Sequence, residues 1–247
     1  MYRQKSLFCG AVAALFLTAP AFANGAGTWN GFYAGVHGGY AWGEWNGPLH
    51  YDDAHLFPSL DFDDSKRTID GDGWLVGLQL GYNHQFGSWV VGAEADLSWT
   101  GFDGSGAFLP YPDNPGSPAW HIQTDVDLMS TARLRAGHLV TDSWLLYATV
   151  GGAWAQAEGS IRPVYSTGSF AHGETEVDHF GWTAGVGAEW KLTERVSLKT
   201  EWLYADFGEE DYAFVGTTLA GATYDTDHIH ASLDFHTVRV GVTYLFN

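Results

Sequence analysis

Hydrophobic and polar positions alternate along most of this chain. Over 73–86, Trp74, Val76, Leu78, Leu80, Tyr82 and Phe86 share one parity, and Gly77, Gln79, Gly81, Asn83 and Gln85 share the other. Leu75 and His84 are the exceptions. A period of two predicts a strand with one apolar face. Gly87 and Ser88 follow, and then 89–102 places Trp89, Val91, Ala93, Ala95, Leu97 and Trp99 opposite Gly92, Glu94, Asp96 and Ser98. Two such runs joined by a Gly-Ser pair predict a hairpin. The stretch 125–140 repeats the pattern, with Val126, Leu128, Ala132, Leu134 and Ala136 against Asp127, Thr131, Arg133 and Arg135. Its return run, 144–159, is apolar or small on both faces. Further alternating runs occupy 179–192, 195–208, 30–45 and 236–247.

Eight strands result, joined by connections of two kinds. Those at 87–88, 141–143 and 193–194 are short. Those at about 46–72, 103–124, 159–178 and 208–235 are long. The runs exceed the common soluble strand of about 5–6 residues and meet the roughly 9–11 that a tilted membrane strand needs. No apolar run of 18 residues occurs after residue 23, which argues against a spanning helix but not against a barrel. The expected fold is all-β: an eight-stranded antiparallel up-and-down transmembrane β-barrel with four long extracellular loops and three short periplasmic turns. Trp42, Trp45, Trp74, Trp89, Trp99, Trp144, Trp190, Trp202, Tyr244 and Phe246 sit near strand ends, where interface girdles are expected. The competing reading is a soluble lipocalin-like barrel, with its apolar parity turned inward.

Side chains fill the interior of an eight-stranded barrel. The polar parity is therefore expected in the lumen, as a charge network of Glu94, Asp96, Asp127, Arg133, Arg135, Glu189, Lys191, Lys199, Glu201 and Arg239. A buried charge is costly unless paired. Arg133 and Arg135 are expected to point inward and pair with Glu94, Glu189 or Glu201. The network is either a static filling or a gated ion path. Glu94 and Asp96 read as counter-ions rather than as an acid–base pair.

The N-terminus carries an export signature. Arg3 and Lys5 precede an apolar stretch at 7–18 and an Ala-Phe-Ala site at 21–23. Residues 1–23 are expected to be a signal peptide and 24–247 the barrel domain. Cys9, the one cysteine, would leave with the signal, so the barrel needs no disulfide. The chain has 11 Lys plus Arg against 29 Asp plus Glu. Losing Arg3 and Lys5 leaves 9 − 29 = −20. This balance excludes a nucleic-acid partner, which needs a basic patch.

Site chemistry is sparse. His228 and His230 form a His-x-His pair among Asp225, Asp227 and Asp234, and His50 and His55 lie near Asp52 and Asp53. Such a pair can ligate zinc, copper or haem iron. Fixed ligand spacing is missing, so the segment reads as a solvated acidic loop and no cofactor is assigned. The stretch 61–73 lacks the spacing of a calcium loop. No nucleophile elbow, phosphate loop or cysteine–histidine pair appears, and no catalytic residue is assigned.

Five blocks carry a family resemblance: 29–43 (WNGFYAGVHGGYAWG), 77–99, 131–155, 181–208 and 236–247 (HTVRVGVTYLFN). In this order the chain resembles the small, porin-family outer-membrane β-barrel proteins of alphaproteobacteria. That family includes the major outer-membrane antigens of brucellae, rhizobial relatives and the haemin-binding proteins of bartonellae. The resemblance implies a non-enzymatic Gram-negative outer-membrane barrel with both termini periplasmic, serving envelope integrity and surface contacts. Implied partners are outer-membrane lipid and lipopolysaccharide, the barrel assembly machinery during biogenesis, and a host or surface ligand. The alternative is a narrow ion pore or a haemin- or metal-binding surface protein. Family members usually end on an aromatic residue, whereas here Phe246 is followed by Asn247.

Overall fold

The computed structural model describes residues 28–47, 67–108, 120–163, 173–217 and 223–246. Of these, 47, 67, 107–108, 120–122, 161–163, 173–175, 211–217 and 223–231 are described by backbone alone. Eight strands run β1 (Gly31–Gly47), β2 (Arg67–Phe86), β3 (Trp89–Phe108), β4 (Trp120–Thr141), β5 (Trp144–Pro163), β6 (Gly173–Lys191), β7 (Val196–Thr217) and β8 (Thr223–Phe246). Each pairs antiparallel with the next, and β1 pairs with β8, so the sheet closes into a barrel. At the closing seam Phe32 lies opposite Phe246 and Asn46 opposite Ser232. The β2–β3 turn needs glycine: Gly87 has φ 62°, and no non-glycine residue described has positive φ. That combination is the type II′ geometry, whose twist matches that of the flanking strands.

Away from the short turns, the strands reach farther than their alternation does. The described parts of the stretches expected as long loops are strand. β7 and β8 stay paired to Thr217 opposite Thr223, so 208–235 is largely a hairpin ribbon. The physical reason is that backbone pairing needs no apolar face. Alternation marks only the part of a strand that has lipid on one side and a core on the other.

The apolar parity faces out. Leu80, Leu134 and Phe180 are 64%, 67% and 67% exposed. A soluble barrel would bury these side chains, so the lipocalin-like reading fails. Aromatic side chains bound the exposed belt at both ends. Phe32, Tyr82, Phe86, Trp89, Trp144, Trp190, Tyr244 and Phe246 mark the turn end, and Trp42, Trp74, Trp99, Phe180 and Trp182 the opposite end. Phe32 and Trp42 are ten positions apart on β1 (42 − 32). Ten residues of strand span about 34 Å, and a tilt of about 40° reduces this to roughly 26 Å. That height matches the ~25 Å apolar band of an outer-membrane barrel. Trp45 is a correction: it is buried on the lumen side, against Ile69, rather than in a girdle.

Candidate functional site: a buried ion-pair belt

Inward-facing residues fall into three layers along the barrel axis. At the turn end, Trp29, Val90, Leu145 and Tyr147 form an apolar plug, with Leu139 packed against it. Residues 28–30 cross under the strands. The Trp29 amide donates to Gln85 Oε1 at 2.8 Å, its indole donates to the Asp142 carbonyl at 3.3 Å, and Lys191 Nζ donates to the Thr28 carbonyl at 2.8 Å. Toward the end opposite the turns a second apolar layer fills the lumen, including Leu75, Phe102, Val126, Met129, Phe207 and Phe235. Small residues of β5, Ala153, Ala155 and Ala157, belong to this layer. They explain why that strand reads as apolar on both faces.

The charged residues lie between the plugs. Arg133 Nη2 on β4 meets Glu94 Oε1 at 2.5 Å and Asp96 Oδ2 at 2.9 Å, both on β3, while its Nη1 reaches Glu201 on β7 at 3.4 Å. Arg135 binds Glu189 on β6 at 2.8 Å. Lys199 donates to both Glu94 oxygens, at 2.8 and 2.7 Å. Arg239 on β8 meets Glu201 at 2.6 Å and Asp96 at 3.1 Å. Four cations and four carboxylates close the belt at a formal charge of zero. Every one of these eight side chains is at most 4% exposed. Opposite charges attract strongly in such a low-dielectric setting, which offsets the cost of stripping their water.

Neutral groups complete the belt. Tyr33 donates to Glu94 at 2.6 Å and Tyr147 to Glu201 at 2.8 Å. The Arg135 guanidinium lies 4.0 Å from the Tyr147 ring centroid and 5.7 Å from that of Tyr33. Ser197 and Thr243 both donate to Glu189 Oε1, at 2.5 and 3.0 Å, and Thr131 donates to Asp96 at 2.6 Å. Glycine makes room for the tyrosines, with Tyr33 opposite Gly81 and Tyr147 opposite Gly187. Sequence reading missed these partners, although a tyrosine on the glycine-rich parity is itself a signal. It also missed His37, buried with Nε2 2.9 Å from Ser98 Oγ.

Eight of the ten predicted lumen charges meet in the belt. Asp127 does not. The β4 register shifts between Val126 and Leu128, and the extra residue at this bulge leaves Asp127 exposed. Lys191 shares the inward parity but lies at the turn-end mouth, half-buried, 4.5 Å from the Trp29 ring centroid. His228 and His230 lie on β8 rather than in a loop, opposite Ala213 and Asp211, and their side chains are outside the described residues. Among the described residues no group of three or more His, Cys, Asp or Glu side chains is placed to hold a metal.

Just beyond the girdle opposite the turns, carboxylates face one another across adjacent strands. Glu44 lies opposite both Asp70 and Asp234, and Asp234 also lies opposite Asp206. Partial burial, with Glu44 and Asp206 nearby, raises the Asp234 carboxyl above its ordinary range despite His236. A folded value above the unfolded one means that the folded state holds the proton longer. The associated stability is present below the unfolded value and lost as pH rises through the folded one. Asp234→Asn is therefore expected to raise the unfolding midpoint at pH 7. Like-charge cross-strand pairs set the scale at up to about 1 kcal/mol. The gain should vanish below about pH 3.9, the unperturbed aspartate value. A midpoint series against pH checks both the sign and the window.

The comparisons agree with this architecture. The family model described as outer membrane protein beta-barrel domain matches residues 9–246. A 31 kDa outer-membrane immunogenic protein of Brucella melitensis is 29% identical, over 98% of this chain and 100% of that protein. A 22 kDa outer membrane protein of Rhizobium leguminosarum is 27% identical, over 76% of this chain and 68% of its own length. The crystal structure of outer membrane protease OmpT from Escherichia coli superposes with a TM-score of 0.54 at 9% identity, covering 87% of this chain and 97% of that one. At that identity the likeness shows the fold alone. A closed barrel, an exposed apolar belt and a family match over nearly the whole chain lead to one conclusion: the protein belongs to the outer membrane β-barrel family.

Proposed function

We propose that this outer-membrane barrel is a non-enzymatic structural component of the envelope. Its belt anchors it in lipid, its filled lumen stiffens it, and its outer strand ends present an acidic surface to the surroundings. The observation that carries this reading is the neutral eight-group ion-pair belt, buried between two apolar layers. Such a lumen resists shear and leaves no ionic path. The immunogenic relatives support exposure at the cell surface. Both termini and the three short turns lie at the periplasmic end in this reading. Lipid and lipopolysaccharide are its lateral partners, and the assembly machinery its partner during biogenesis. Among the described residues no side-chain arrangement favours the pore or the haemin- and metal-binding alternatives, and the side chains of His228 and His230 lie outside them.

A strain lacking the protein should become more sensitive to detergent, and the wild-type chain should restore resistance. Unchanged sensitivity would contradict the role. Orientation has its own test. Ser105→Cys, near the outer end of β3, should react with an impermeant maleimide on intact cells, whereas Ser88→Cys in the β2–β3 turn should not. Labelling at Ser88→Cys alone would invert the barrel.

A further inference from the structure

The ion-pair belt accounts for one side of the lumen. The other side, along β1 and β2, carries neutral polar groups with buried atoms that lack a protein partner. Gln79 is 3% exposed, yet neither its amide nitrogen nor its amide oxygen has a hydrogen-bond partner. Asn83 is 2% exposed with Oδ1 unpartnered, and His37 is 3% exposed with Nδ1 unpartnered. Buried polar groups in native proteins are almost always satisfied, by protein or by bound water. An apolar side chain of similar size would fill each position without this cost.

Glycines on neighbouring strands make room for these groups. A Cβ on Gly35 would come within 3.1 Å of Gln79 Nε2, one on Gly92 within 2.6 Å of Asn83 Oδ1, and one on Gly77 within 2.6 Å of His37 Nε2. Gly92 also brings Arg135 close, its Cγ 3.3 Å from that same Cβ position, and Arg135 Nε is a further buried donor without a partner. The polar groups are stacked along the wall. Asn83 is level with Gly31, Gln79 with Gly35, and His37 two residues beyond Gly35 on β1.

We infer that this wall binds buried water molecules at Asn83, Gln79 and His37, in the polar layer between the two apolar ones. Water suits the site because it both donates and accepts, as the unpartnered atoms require. An ion does not suit it, because the wall groups are two amides and an imidazole and the belt beside them already sums to zero. The belt thus has bound water beside it without an open pore.

Water-edited solid-state NMR on the full barrel in lipid bilayers tests this. Magnetisation from water should reach the side-chain amides of Gln79 and Asn83 and the His37 ring as fast as it reaches the exposed Ser88 amide. Transfer to the amide of Phe235, in the outer layer, should be slow. In Gln79→Met, which removes two of the wall's polar atoms, transfer to His37 should fall by roughly twofold or more while Asn83 keeps its rate, since each buried water leans on about three partners. A Gln79 amide as slow as Phe235 in the wild type, or an unchanged His37 rate in Gln79→Met, overturns the inference. If Gln79→Met does not fold, the wild-type rates decide alone.

Discussion

Arg133→Leu is expected to lower the unfolding free energy by about 3–5 kcal/mol, the range for breaking a buried ion pair from one side. Arg133 is held within 2.5, 2.9 and 3.4 Å of Glu94, Asp96 and Glu201. Removing it leaves three cations against four carboxylates in a site without bulk water. The repulsion among those carboxylates, rather than the lost attraction, carries most of the cost. Adding Asp96→Asn restores a belt of three and three and should recover about half of the loss, because contacting residues in one network do not behave additively. Denaturant unfolding in bilayers at neutral pH measures both variants. An unchanged Arg133→Leu midpoint would mean that Arg133 is not paired in the interior.

Gly187→Leu is expected to cost about 3 kcal/mol by a different route. A Cβ on Gly187 would stand 2.4 Å from Tyr147 Cζ and 2.5 Å from its hydroxyl oxygen, with the Thr200 carbonyl oxygen at 2.9 Å. The tyrosine must move, which breaks its 2.8 Å hydrogen bond to Glu201 and its contact with Arg135. Overpacking costs about 1–3 kcal/mol, and a hydrogen bond to a charged group contributes about 1.5–3. If the clash is the cause, Tyr147→Ala should relieve it. Gly187→Leu combined with Tyr147→Ala should then cost less than the sum of the two single changes. Full additivity would show that the two positions do not interact.

The bilayer explains which parts of this protein were legible in its sequence. Lipid on one side and a narrow lumen on the other force alternation, so the membrane-embedded portions of seven strands could be read directly, whereas β5, with small apolar residues facing the lumen, was read from its place as the return run after the 141–143 turn. Arg133 and Arg135 could be oriented for the same reason: Leu134 between them is two-thirds exposed to the lipid side. Beyond the girdles that constraint lapses, and strand there looked like loop. Asp127 was misplaced because a single bulge residue reverses parity, and no pattern in the surrounding residues announces it. Trp45 was misplaced because tryptophan serves a girdle and a lumen core equally well. The layering of the lumen was invisible for a further reason. Parity tells inside from outside, but only register brings Glu94, Glu189, Glu201 and Arg239, from four strands, to one height.

The belt's neutrality, burial and position between two apolar layers make one central claim: this barrel is closed to ions. Single-channel recording with the purified full-length protein in a planar bilayer tests that claim most directly. The prediction is a silent membrane in concentrated potassium chloride at either polarity, with insertion verified by the heat-modifiable mobility of the recovered protein. Reproducible unitary current steps that scale with salt concentration, and that change size in Arg133→Leu, would contradict it.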